Sequence, residues 1–187
     1  MSSNLDAHGQ AIAQALQTTL ETALEKLGLN LTQDSEIEER EVIEYNSRMR
    51  VFGLEKFNGP CYIFGFNFYK DSQTQEAKQT NGAFVLFFEE ESIEKILKKL
   101  GHRAFDEEDE AFVLENLGVF GKQLAETFAA ALSSVGYTSL LVSDPMSYKN
   151  SIPEGMDFPY SVYKYQELSL YLWDKKVVVA DAIIAPA

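Results

Sequence analysis

Two apolar runs in the middle of the chain constrain the fold more than any other feature. Residues 62–69 read YIFGFNFY and residues 83–88 read AFVLFF. Both have the length of a strand, and aromatic residues favour strands. A turn signal precedes each run, Asn58-Gly59-Pro60 and Asn81-Gly82. The runs are therefore predicted to be antiparallel neighbours, and the polar residues 71–80 between them are predicted to form a mobile loop.

Apolar residues at helical spacing predict three helices around these strands. They occur in residues 5–27, 93–100 and 112–132, where apolar side chains recur at intervals of three, four and seven. Each stretch is followed closely by a glycine that can end a helix: Gly28, Gly101 and Gly136. Ser92 can cap the second helix. The acidic run 106–110 precedes the third helix, where carboxylates complement the helix dipole.

The remaining segments predict an antiparallel or mixed sheet. Strands are expected at residues 138–142, 161–172 and 177–184, and a short one at Leu29 and Leu31. Residues 34–44 are acidic, which favours a solvated edge strand or loop; a docking arm is the alternative. Separate runs of helices and strands indicate an α+β fold with two or three helices packed on the sheet, in one domain over residues 1–187. Because exposed sheet edges tend to pair, a homodimer is expected.

Composition excludes several functional classes. The chain has 29 Asp and Glu against 16 Lys and Arg, a net charge of −13, which argues against binding nucleic acid or anionic lipid. Cys61 is the single cysteine, so it forms no intramolecular disulfide, and it is expected to be a core or strand residue. The sequence contains no apolar run long enough to span a membrane and no secretory signal pattern, so a soluble cytoplasmic protein is expected.

The common catalytic motifs are not found in the sequence. His8 and His102 are the two histidines, and neither has the spacing of a metal site or a triad, so both are expected to be surface or capping residues. Glycine-rich phosphate loops are missing as well. Phe64, Phe66, Phe68, Phe84 and Phe87 could line the pocket of a small-ligand sensor, although alternating aromatic residues on strands are more often core.

Residues 82–145 resemble a known family. Residues 82–88 followed by Glu91-Ser92, a short helix that ends at Leu100-Gly101, the acidic linker, the helix segment LENLGVFG at 114–121, and the strand exit Val142-Ser143-Asp144-Pro145 are similar to the CheC/CheX/FliY family of chemotaxis phosphatases. The helix in residues 1–28 and the last two strands fit the same layout. The resemblance implies a CheX-like domain that acts on a phosphorylated CheY-like response regulator. It implies no cofactor for this chain, because the partner carries the magnesium.

The family's catalytic signature is Glu-x-x-Asn on the helix after the acidic linker. In the family, the carboxylate engages the partner and the amide orients the attacking water. Here Glu115 matches the glutamate, but Gly118 occupies the asparagine position. Asn116 is adjacent but lies about 100° around the helix from Glu115, and Gln123 offers an amide about two turns away. The resemblance thus implies Glu115 and Asn116 as site residues. It leaves two functions open, a phosphatase and a catalytically silent interaction or dimerisation domain of the same fold.

Acidic residues stand next to this helix. Because the run 106–110 directly precedes it, we expect the contacting face of the partner to be basic and the binding to weaken with salt.

Overall fold

The computed structural model of the chain describes residues 5–45, 49–51, 55–102, 109–137, 140–150, 155–159 and 161–186. Its elements, in chain order, are α1 (Ala7–Lys26), β1 (Glu36–Glu41), β2 (Ile43–Tyr45), β3 (Met49–Val51), β4 (Cys61–Tyr69), α2 (Ser72–Glu76), β5 (Gly82–Glu89), a 3₁₀ turn (Glu90–Ser92), α3 (Ile93–Lys99), α4 (Glu110–Ser134), β6 (Leu141–Val142), β7 (Met146–Lys149), β8 (Lys164–Leu172) and β9 (Lys175–Ile184).

Seven strands form one antiparallel sheet. The order across it is β1-β8-β9-β5-β4-β6, and β7 pairs with the same edge of β4 as β6 does. Strands β2 and β3 form a separate hairpin. The predicted pairing of the two apolar runs is confirmed, because β4 and β5 are antiparallel with Phe64 opposite Leu86. The α+β class is confirmed as well.

Three helices cover one face of the sheet. Alternate strand residues point toward them, so Phe64, Phe84, Leu168 and Ala180 join one apolar core with the inner residues of α1, α3 and α4. The longest helix, α4, begins where predicted: the Asp109 side chain caps it by accepting from the Phe112 N–H at 3.2 Å. Residues 106–108 of the predicted acidic run lie outside the described residues.

Irregular segments cover the other face of the sheet. Met156 packs so closely on Gly65 that a Cβ at this glycine would overlap the Met156 sulfur. The buried Asn67 side chain fixes the same segment, donating to the Asp157 carbonyl at 2.6 Å and accepting from the Asp157 N–H at 3.0 Å. Cys61, predicted to be a core or strand residue, is buried on this face at the start of β4.

A buried ion cluster also lies on this second face. Lys56 is 7% exposed, and its ammonium contacts the carboxylates of Glu167 and Asp181, the latter at 2.8 Å. Glu167 on β8 stands directly opposite Asp181 on β9. Arg40 on β1 pairs with Glu167 at 3.0 Å. Among the described residues, neither oxygen of Asp181 has a partner of good hydrogen-bond geometry, so this buried carboxylate relies on its ion pair with Lys56.

The two histidines have different environments. His8 is half-buried rather than a surface or capping residue: its Nε2 lies 2.9 Å from the Ile184 carbonyl and its Nδ1 contacts the Tyr137 hydroxyl. It therefore ties α1 to the end of β9. The backbone N–H of His102 closes α3 by donating to Leu97, as a capping residue would.

Several short elements differ from the sequence prediction. Leu29 and Leu31 form no strand, because the Leu29 N–H still donates to the Leu24 carbonyl and completes the end of α1, with Gly28 at φ +74°. Residues 71–80 are not only loop, because they contain α2. A capping box between Asp71 and Thr74 caps the N-terminus of this helix. Strand β7 was not predicted. Residues 138–139 of the predicted strand 138–142 lie outside the described residues.

The acidic segment 34–44 contains an edge strand, as predicted. Strand β1 lies at the edge of the sheet and pairs with β8 along its whole length. Its side chains alternate between exposed and half-buried over the first four residues. This arrangement favours the solvated edge strand over the docking arm.

Candidate functional site: the α4 groove

A groove of about 510 Å³ lies between α4 and the bend that joins β6 to β7. We call it the α4 groove. It is lined by Leu114, Glu115, Gly118, Val119, Lys122, Gln123, Asp144, Pro145 and Ser147. Two of the segments that carry the family resemblance, the helix 114–121 and the strand exit 142–145, therefore contribute to one site.

Two glycines allow α4 to lie close to the sheet at this point. A Cβ at Gly121 would be 3.1 Å from Cζ of Phe66, which is closer than ordinary contact. A Cβ at Gly118 would be 3.5 Å from Cγ of Pro145 and 3.8 Å from Cε1 of Phe64, which is ordinary van der Waals distance. A side chain at Gly121 would therefore require the Phe66 ring to shift by a few tenths of an ångström, whereas a Cβ at Gly118 meets only ordinary contacts.

Lys122 holds the bend that forms the opposite wall. Its ammonium donates to the carbonyls of Val142 and Ser143, both at 2.8 Å, and lies 3.6 Å from Oδ1 of Asp144. Ser143 is fixed in turn to β4, since its N–H donates to the Asn67 carbonyl at 2.9 Å. The wall is therefore held from both the helix and the sheet.

The structure places the predicted site residues differently. Glu115 is exposed on the groove, and no described residue forms an ion pair with it. The Asn116 side chain instead donates to the Phe112 carbonyl of its own helix at 2.8 Å, and Asn116 is not among the lining residues. Gln123 does line the groove, two turns after Glu115. The catalytic role of Glu115 and Asn116 stays a prediction.

Gly118 stands where the family signature has asparagine, so this position of the groove offers no side-chain amide. Gly118 is buried in the wall of the groove and presents no side chain there. The two amides nearest in sequence are Asn116, which is engaged by the backbone, and Gln123, which is exposed. A water in this groove would therefore meet a carboxylate at Glu115 but no amide at the position that the resemblance specifies.

An ion pair lies at the far end of β7. Lys149 pairs with Glu90 at 2.6 Å, and this hydrogen bond raises the pKa of the lysine. Its ammonium also lies 5.4 Å from the centre of the Tyr62 ring, whose own pKa is raised by burial. Lys149 is not among the residues that line the α4 groove.

The aromatic residues form no ligand pocket. Phe64, Phe66, Phe68 and Phe84 are completely buried on the helix-covered face, where their rings pack against one another. Phe87 is buried on the opposite face. These five rings therefore do not line one pocket, because alternation along two paired strands places them in two separate cores.

Sequence reasoning missed two features of the site. Lys122 is the only Lys or Arg in α4, and a single cation among apolar helix positions was the signal for it. Val119 is 58% exposed although it is apolar, a property that the helical pattern alone does not reveal. Among the described residues, no three His, Cys, Asp or Glu side chains are grouped to hold a metal ion, and no helix is long and apolar enough to cross a membrane.

Solved structures with the same arrangement were found. The chain aligns with FliY from Thermotoga maritima over 98% of this chain and 93% of that chain, with a TM-score of 0.59 and 16% identity. It aligns with the chemotaxis protein CheX from Desulfovibrio desulfuricans over 92% and 98%, with a TM-score of 0.58 and 11% identity. No family sequence model matches the chain, and a search of curated protein sequences gives no match.

A third structure contains a bound partner. It is the complex of CheX, CheY, BeF3 and Mg2+ from Borrelia burgdorferi, which aligns over 92% of this chain and 97% of that chain, with a TM-score of 0.51 and 14% identity. Together the alignments define the class of fold, three helices on one face of an antiparallel sheet. Within that class, the chain has the fold of the CheC, CheX and FliY chemotaxis proteins.

Proposed function

We propose that this protein is a CheX-like signalling module that binds a phosphorylated CheY-like response regulator through the α4 groove. The fold, the position of Glu115 on this groove and the existence of a CheX–CheY complex among proteins of the same fold support the proposal. The regulator would supply the aspartyl phosphate and the magnesium. The chain itself would supply the contacting helix.

The second part of the proposal rests on Gly118: the protein binds the receiver, but its hydrolysis of the aspartyl phosphate is weakened. Cleavage of an aspartyl phosphate requires a water held in line with the scissile bond, and an amide can hold it because it both donates and accepts. Glycine offers neither group, and the Asn116 amide is bonded to the Phe112 carbonyl. We therefore expect a binding module with little phosphatase activity.

The test is to restore the signature. CheY-like receivers from the same genome are phosphorylated with labelled acetyl phosphate, and label loss is followed with the wild type, Gly118→Asn and Gly118→Ala. Because a Cβ at this position meets only ordinary contacts, we expect both variants to fold. At concentrations of the variant that saturate the receiver, Gly118→Asn is expected to accelerate label loss at least about tenfold, even though the added side chain weakens affinity. Gly118→Ala, the matched control without an amide, is expected to leave it unchanged.

Binding is measured separately, with a receiver held in its active form by BeF3− and Mg2+. Wild-type binding without accelerated label loss supports the interaction module. If Glu115→Ala changes neither binding nor label loss in any variant, the assignment of Glu115 to the site is wrong. If no receiver binds the wild type, the proposed function itself fails.

One observation favours the phosphatase as a second candidate. Gln123 lines the same groove as Glu115, so its amide faces the same partner. In that case the wild type accelerates label loss, and Gln123→Ala abolishes the acceleration while binding is retained. The isosteric change Gln123→Glu separates the amide from the size of the side chain.

A further inference from the structure

The α4 groove combines an apolar floor with an acidic rim. Leu114, Val119 and Pro145 contribute aliphatic surface on either side of Gly118, which contributes only backbone. The charged side chains of the lining are Glu115, Lys122 and Asp144, of which Glu115 and Asp144 are exposed. Such a groove favours an apolar side chain over a polar one, because a polar group on the floor would lose its hydrogen bonds to water without replacement.

Val119 is the most exposed part of this floor. It is 58% exposed, on a helix whose other apolar residues are mostly buried. An exposed valine beside a groove gains free energy only when something apolar covers it. The position also lies one turn after Glu115, so both side chains face the same partner surface.

The rim is negative. Glu115 has no described cationic partner, and the Asp144 side chain is fully exposed. Lys122 is the cation among the lining residues, but two carbonyls hold its ammonium on the inner side of the bend, 3.6 Å from Asp144. Two carboxylates thus remain to face a partner, and cations of the partner are their natural complement.

We infer that the α4 groove receives one apolar side chain of the receiver partner, seated against Gly118 and Val119, with basic residues of that partner on either side facing Glu115 and Asp144. The inference rests on the proposed function and specifies which part of the receiver docks. Gly118, which stands in place of the catalytic asparagine, then also leaves room for this apolar side chain of the receiver. The absence of a side chain at Gly118 would therefore explain both the binding of the receiver side chain and the weakened hydrolysis.

A second copy of this chain fits the groove less well. It would bring a net charge of −13 and an identical acidic rim to a surface that already carries the exposed carboxylates of Glu115 and Asp144. Like charges placed opposite each other at an interface oppose association.

The first experiment changes the floor. Affinity for a receiver activated with BeF3− and Mg2+ is measured for the wild type, Val119→Asp and Gly118→Leu, the latter filling the groove. Val135→Asp is the matched control, because Val135 is 52% exposed at the end of the same helix and does not line the groove. We expect a loss of at least about tenfold for the first two variants and less than about twofold for the control. Thermal melts verify that each variant is folded.

The second experiment identifies the occupant. Cys61 is buried and the pKa of its thiol is raised by desolvation, so Val119→Cys introduces a thiol that reacts selectively with benzophenone maleimide. Irradiation with the activated receiver, followed by mass spectrometry, locates the captured residue. The label placed through Val135→Cys serves as the control.

The outcomes separate the two proposals. Capture of an apolar receiver residue with Lys or Arg neighbours, together with the affinity losses, supports the inference. Wild-type affinity in both floor variants, capture of an acidic receiver surface, or capture of a second copy overturns it while receiver binding stands. Failure of the wild type to bind any receiver overturns the proposed function, and the inference with it.

Discussion

Lys56 is the residue on which the second face of the sheet depends most. Its ammonium lies between two carboxylates on neighbouring strands and beneath two rings, 5.0 Å from the centre of Phe87 and 5.5 Å from that of Tyr165. Burying a charge is unfavourable unless opposite charges compensate for it. The pKa of Lys56 is raised: burial lowers it, but Asp181 and Glu167 outweigh that effect. The lysine therefore stays charged and holds its segment on the sheet.

Replacing this lysine should strongly destabilise the fold. Lys56→Met leaves Glu167 and Asp181 opposite each other with no cation between them, and removing one partner of a buried pair costs about 3–5 kcal/mol. The free energy of unfolding from urea titrations at pH 7.5 measures the loss. Lys164→Met is the control, because Lys164 is 64% exposed and its pair with Glu39 is worth less than about 1 kcal/mol. Equal losses in the two variants would contradict a structural role for the cluster.

The Asp181 carboxyl makes stability depend on pH. Burial raises its pKa from 3.8 to about 7, although Lys56 opposes the shift. Between about pH 4 and pH 7 the folded state therefore holds a proton that the unfolded state has released. The unfolding free energy falls as pH rises through this window, by at most about 1.4 kcal/mol per pH unit. Glu167, whose pKa is lowered, acts in the opposite direction and only below its ordinary value.

Asp181→Asn is expected to remove this fall. Urea titrations at half-unit steps from pH 4.5 to 8 are compared for the wild type, Asp181→Asn and the exposed control Asp174→Asn. The wild type and the control should lose stability as pH rises, and Asp181→Asn should lose less. Parallel curves for all three proteins would show that Asp181 titrates normally.

Single residues of the site were predictable only where the family signature named them. Glu115 was found because the helix context and spacing match, and the structure places it on the groove. The role of Lys122 was not predictable, since its contacts are with Val142 and Ser143, about twenty residues away. Sequence spacing does not predict a contact made by chain folding over that distance. The Lys56 cluster was missed for the same reason.

Helix α4 contains two glycines, Gly118 and Gly121, whose surroundings differ. Gly121 lies against the Phe66 ring, which is completely buried and has little room to move. Gly118 lies beside the open groove. Each glycine costs the helix about 0.5–1 kcal/mol relative to alanine, so the contacts around them decide whether a substitution helps.

We therefore expect replacement by alanine to change the thermal midpoint in opposite directions at Gly118 and Gly121. Gly118→Ala is expected to raise the thermal midpoint by about 2–4 °C, and Gly121→Ala to lower it, because the added methyl group must displace Phe66. Differential scanning calorimetry of the two variants gives the comparison. A rise in both would mean that α4 can shift away from β4.

Long elements were more predictable than short ones. Helices α1 and α4 and strands β4 and β5 have many residues in one apolar pattern, so period and length both identify them. Strand β7 was not predicted, and β6 is the end of the predicted strand 138–142. These two strands have four and two residues, with exposed or half-buried side chains. They exist because the edge of β4 offers hydrogen-bonding groups, a tertiary cause that local pattern cannot show. Leu29 was misread because its apolar side chain serves the end of α1.

At the scale of the molecule, the net charge of −13 predicts how binding responds to salt. Attraction between the acidic rim and basic receiver residues is screened as the Debye length falls from about 10 Å at 0.1 M toward about 3 Å at 1 M. We expect the affinity for the activated receiver to fall roughly tenfold between 50 and 500 mM NaCl. Titration calorimetry at four salt concentrations measures the slope.

Two double variants identify which charges cause the salt dependence of the affinity. Glu115→Gln with Asp144→Asn should flatten the salt dependence, whereas Glu25→Gln with Asp174→Asn, which removes the same charge outside the groove, should change it little. Equal slopes in the two double variants would assign the effect to overall charge rather than to the rim. The single domain over residues 1–187 and the homodimer stay predictions.

The position of β9 has a consequence for how the protein is made. This strand follows β1 to β8 in sequence, yet it lies in the interior of the sheet between β8 and β5, with Ala182 opposite Phe84. On the ribosome, β5 is synthesised some ninety residues earlier and waits with one edge unpaired until β9 emerges. Nascent chains that end before residue 175 therefore leave the β9-facing edge of this apolar strand unpaired, and we expect them to be more prone to aggregation than the full chain.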